Sequence, residues 1–79
     1  SINMETIDHD LVLKVNKAEE ERDIEKLVML AKRNKEDFHS FNYISDALEW
    51  VTKKTRAQVE DLILKHHTPC PHSERRFKN

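Results

Sequence analysis

Not one glycine occurs among the 79 residues of this chain. That absence disfavours every device that needs a positive backbone φ at a fixed place: glycine-rich phosphate loops, two-residue type I′ and II′ hairpins, and the usual left-handed helix C-caps. A nucleotide-binding enzyme is a poor expectation for such a chain. Charged and apolar residues each make up 37%, the mixture of a strongly amphipathic helical protein. At this size a chain buries only about 60% of its unfolded surface, so the core is thin and a partner chain would help it.

The apolar residues recur at helical spacing. Ile7, Leu11, Val15 and Ala18 form a narrow stripe on a first helix capped by Thr6 or Asp8 and running to about Glu20. The phase is then lost in "EEERD", which predicts a break between Glu20 and Asp23; one continuous helix with a shifted face is the competing reading. Ile24, Leu27, Val28 and Ala31 mark a second helix, with Met29 and Leu30 beside them, ending near Asn34. In "NKEDFHSFN", Ser40 or Asn42 is expected to cap a third helix. That helix carries Phe41, Ile44, Leu48 and Val51 on one face and Tyr43, Ala47 and Trp50 on another. After the polar turn Thr52-Lys53-Lys54, Thr55 and Gln58 match a capping box. Val59, Leu62, Ile63 and His66 follow on one face of a fourth helix, which must end before Pro69.

The expected fold is therefore all-α: a compact bundle of three to four short helices, ending in a helix-turn-helix-like hairpin and a basic tail. Residues 1–67 read as a single helical domain and residues 68–79 as a flexible basic tail. Residues 1–50 hold seven basic and twelve acidic side chains, a balance of −5; residues 51–79 hold seven and three, a balance of +4. Such a split marks a nucleic-acid face, or two halves that attract each other within or between chains. One cysteine excludes an internal disulfide scaffold. The longest apolar run, Leu27 to Ala31, is far short of the roughly 20 residues a membrane helix needs. No signal-peptide pattern opens the chain, so an intracellular protein without a membrane partner is expected.

Four constellations carry possible chemistry. In "HHTPCPH", His66, His67, Cys70 and His72 crowd three imidazoles and the single thiol into seven residues. Pro69 and Pro71 prevent the helix that would align them, and no recognisable spacing supplies a fourth ligand. The stretch reads as a helix end, with no metal or other cofactor expected. Second, the hairpin from Tyr43 to His66 has the layout of a DNA-reading helix-turn-helix. It would offer Thr55, Arg56 and Gln58 to bases and Lys53 and Lys54 to phosphates. Glu60 and Asp61 oppose this, because acids in a recognition helix repel phosphate. Third, Tyr43, Ala47 and Trp50, joined by the off-face Leu64 and by Phe38, resemble interface anchors. Fourth, Asp8-His9-Asp10 and Glu36-Asp37 before His39 set acids beside imidazoles, yet adjacent helical residues point about 100° apart and aim at no common atom.

The combined expectation is a non-enzymatic helical binding module, a small homodimeric adaptor or regulator working through Tyr43, Ala47, Trp50 and Leu64. A DNA-binding helix-turn-helix regulator using Lys53, Lys54, Thr55, Arg56 and Gln58 is the alternative. No small-molecule substrate is expected.

Overall fold

A computed structural model describes residues 7–66. They form four helices and, among the described residues, no strand: α1 (His9–Glu20), α2 (Ile24–Arg33), α3 (Phe38–Thr52) and α4 (Arg56–Lys65). The basic segment 68–79 lies outside the described residues.

Of the two candidate caps for α1, Asp8 serves, its carboxylate accepting from the Asp10 amide at 3.4 Å. The stripe behind it is buried as its spacing requires, at Leu11, Val15 and Ala18, with Ile7 packed against the core. The helix stops where the phase is lost. Arg22 adopts φ 55°, its N–H donates to the Glu19 carbonyl at 3.1 Å, and the Asp23 N–H donates to the Ala18 carbonyl at 2.8 Å. This pair of bonds is a Schellman ending with arginine at the left-handed position.

Lys53 at the end of α3 is also left-handed, at φ 63°. The absence of glycine therefore did not exclude left-handed caps. A side chain in this conformation costs roughly 1–2 kcal/mol, and at Arg22 two otherwise orphaned carbonyls are satisfied in return.

Asp23 caps α2 directly, accepting from the Lys26 amide at 3.1 Å. Leu27, Val28, Leu30 and Ala31 are buried, while Ile24, expected on the core stripe, is 39% exposed. The first-turn position lies beyond the reach of the core, and Leu30 takes its place.

The third helix begins earlier than its sequence suggested. Neither Ser40 nor Asn42 is its cap; Asp37 is, accepting from the Ser40 amide at 3.4 Å and the Ser40 hydroxyl at 3.0 Å. Ser40 is buried as the third residue of the helix, its hydroxyl turned back onto the cap. That hydroxyl bond, followed by the amide bond, holds the Asp37 carboxyl below its ordinary value.

Helix α3, the longest, packs against all three others, as α2 does, and the α2–α3 contact is the most extensive in the fold. Ile44, Ser45, Ala47 and Leu48 are buried, and Phe41, Tyr43 and Val51 pack against the core. On α4 the capping box forms as read, Gln58 N–H to Thr55 Oγ1 at 3.2 Å and Thr55 N–H to Gln58 Oε1 at 3.0 Å. Val59 and Ile63 are buried beneath it. The last turns of α2 and α4 are tied together by Lys32 Nζ donating to the His66 carbonyl at 2.5 Å.

Two outcomes test these turns. Arg22→Gly removes the left-handed penalty and should raise stability by about 1 kcal/mol, a Tm gain of roughly 5 °C, whereas Arg22→Ala should change little. Asp37→Asn keeps a capping oxygen but no titrating group. Because the Asp37 pKa is lowered in the folded state, its contribution is present above the unfolded carboxylate pKa and lost as pH falls through the folded one. Thermal melts from neutral to strongly acidic pH should thus show a flatter acid limb for the variant.

Candidate interaction site at the end of the third helix

Most of the apolar surface of this small domain is covered, which makes the exceptions informative. Trp50 is 63% exposed in the last turn of α3. With Ala47 and Tyr43, one and two helical turns back, it lines an open cleft of about 300 Å³. Ala47 is nearly buried and forms the floor. Tyr43 is half-buried, and its hydroxyl donates to Asn16 Oδ1 on α1 at 2.8 Å, fixing the ring between the two helices. Glu19 from the last turn of α1 and Asp46 from α3 complete the lining. The pairing of Asn16 with Tyr43, and of Glu19 with the residues around Ala47, shows that α1 and α3 run in the same direction side by side. Lys53, turned by its left-handed backbone, places Nζ 4.9 Å from the centre of the Trp50 ring.

The structure brings together three of the four expected anchors and separates the fourth. Leu64, 71% exposed, lines a different and larger groove of about 550 Å³ with Phe41 and Ile63, ringed by Lys32, Lys35, Glu36 and Glu60. Phe38 is exposed at the start of α3, its ring edge-on to His39 at 5.6 Å.

The residues of the helix-turn-helix alternative are largely occupied within the fold. Thr55 and Gln58 complete the capping box. Arg56 reaches across to α3: Nε donates to Glu49 at 2.5 Å, one terminal nitrogen to Asn42 Oδ1 at 2.9 Å, and the other pairs with Asp46. Two carboxylates thus neutralise the guanidinium expected to meet a base edge. Lys53 lies over Trp50, and Lys54 keeps an exposed side chain while its backbone N–H donates to Thr52 Oγ1 at 3.2 Å.

Of the histidine-rich stretch, His66 ends α4 in an extended conformation, and its Nδ1 is buried without a partner among the described residues. His67, Cys70 and His72 lie outside the described residues, within which no three metal-ligating side chains cluster. Asp8 and Asp37, one acid from each of the two His-containing runs, serve as helix caps.

Sequence reasoning missed the acidic part of the cleft and the clasp around Arg56. Asp46 was findable, because it falls between Tyr43 and Trp50 on the same side of the helix. Asn42, Asp46 and Glu49 likewise form a polar stripe at helical spacing, a ready acceptor row for one guanidinium. Glu19 was not findable, since only the tertiary pairing of α1 with α3 brings it in.

The fold and the cleft together define a small all-α domain with an aromatic, acid-flanked recess between α1 and α3. No family model matches the chain, and no curated protein or solved structure matches it either.

The clasp makes a direct prediction. Arg56→Ala should loosen α4 from α3 and cost about 1–2 kcal/mol in urea unfolding followed by circular dichroism. Arg56→Lys keeps the charge without the fork and should recover less than half of that loss.

Proposed function

We propose that this chain is a non-enzymatic helical binding module, an adaptor or regulator that docks another protein chain, a second copy or a different one, onto the Tyr43–Ala47–Trp50 cleft. The observation that carries this reading is the exposure of Trp50 beside a nearly buried floor and a half-buried tyrosine. Tryptophan and tyrosine bury much area at low entropic cost, and they are enriched among the few residues that dominate binding energy. Here one aromatic ring is already fixed through Asn16, so a partner would meet a preorganised wall.

Two further observations support the same reading. Among the described residues, neither the cleft nor the larger groove is lined by histidine, serine, threonine or cysteine, the residue types most used to activate a nucleophile. The DNA alternative requires Arg56 to leave two carboxylates and Asn42 before it can contact a base.

Sedimentation velocity of the full chain and of Trp50→Ala, alone and with labelled duplex DNA at low and moderate salt, is the decisive comparison. A dimer weakened by the substitution by about 2 kcal/mol or more identifies a second copy as the partner. A monomer that leaves DNA alone directs the search to a different protein, whose crosslinking to the full chain should drop by a similar factor in Trp50→Ala. Association that ignores the substitution removes the cleft from the function. Binding to DNA that weakens steeply with salt replaces this reading with the helix-turn-helix one.

A further inference from the structure

The cleft also has a charge preference. Its two polar walls are carboxylates, Glu19 and Asp46; Asp46 shares its charge with Arg56, whereas Glu19 forms no ion pair among the described residues and is the free acid of the cleft. It opens beside the last turns of α1 and α3, the ends at which helix carbonyls concentrate partial negative charge. The indole of Trp50 already accepts a cation, the Lys53 ammonium at 4.9 Å, so the quadrupole of the ring is in use within this molecule.

We propose that the cleft receives a lysine or arginine side chain from a basic peptide segment of a partner protein, the cation resting against the Trp50 ring with Glu19 and Asp46 on either side. This assignment rests on the reading of the cleft as a docking surface and narrows it to one partner chemistry. An acidic segment would meet both carboxylates. Symmetric pairing of the cleft with itself would place four carboxylates in one interface, which is favourable only where a cation of the second copy lies opposite each of them. The larger groove makes no comparable selection, because two lysines and two glutamates surround it. Lys53 acts as an internal competitor whose positive charge an incoming cation must displace or tolerate.

Trp50 is the chain's single tryptophan, so its fluorescence reports on the cleft directly. The full chain is titrated with an octapeptide alternating arginine and serine, and with its aspartate–serine counterpart. The arginine probe should bind and perturb the emission, and the aspartate probe should not. Glu19→Gln should weaken arginine-probe binding about fivefold, while Glu25→Gln, an exposed acid on α2 that does not line the cleft, should leave it within about twofold. Lys53→Ala should tighten it severalfold. With a fluorescein-labelled probe read by anisotropy, Trp50→Leu should weaken binding about tenfold.

Equal losses for Glu19→Gln and Glu25→Gln would show a nonspecific polycation effect and overturn the proposal, as would failure of the arginine probe to bind. Trp50-dependent binding of both probes alike would overturn the charge preference and leave the docking surface standing. Binding of the arginine probe that is indifferent to Trp50→Leu would overturn both.

Discussion

Burial of one broad face of α3 is the constraint on which the other elements depend. Ile44 and Leu48 have no solvent exposure, and the helix that carries them, the longest of the four, is in contact with all three others, as is its closest neighbour α2. Each neighbour is too short to stand alone, since helices of ten to twelve residues are marginal in water without tertiary packing. The stripes on α1, α2 and α4 become stable helices because α3 offers a surface to each. Its second apolar side is then only partly needed. Tyr43 and Ala47 are drawn into the packing with α1, while Trp50, one turn further on, passes the end of what α1 can cover.

The elements and their faces were legible from spacing alone. Leu11–Val15–Ala18 and Val59–Ile63 lie in the core as their periods require, and the phase slip in "EEERD" marks a real chain reversal. Turn chemistry was harder to read. Ser40 is as good a cap by type as Asp37, and only the earlier start of the helix, with the serine hydroxyl bonded back to the carboxylate, separates them. The two left-handed residues carry no local mark either, because arginine and lysine adopt that conformation under tertiary compulsion and not by preference.

The candidate site divides along the same line. What lies on one helix could be read from its period, as Tyr43, Ala47 and Trp50 were. Leu64 was grouped with them by hydrophobicity, although α4 turns it toward a different groove. The reading of Arg56 as a base contact assumed a free side chain; the acceptor row of α3, positioned by the short Lys53–Thr55 connection, takes up its hydrogen-bonding capacity instead. Basic residues near the start of a helix are therefore poor guides to ligand contact until the facing helix is known.

The cleft is bounded by α1 and α3, which are neighbours in space but not in sequence. Helix α1 is held by a narrow stripe whose buried members are Leu11, Val15 and Ala18, fewer than the four of α2 and more than the two of α4. If α1 lifts away, the Glu19 wall and the Asn16 support of Tyr43 go with it, while α2, α3 and α4 retain their mutual contacts. Occupancy of the cleft and docking of α1 are then linked equilibria: whatever fills the recess also closes the N-terminal helix onto the domain. A sequence attached before α1 would feel a binding event at Trp50 as a change in how firmly its own anchor is held.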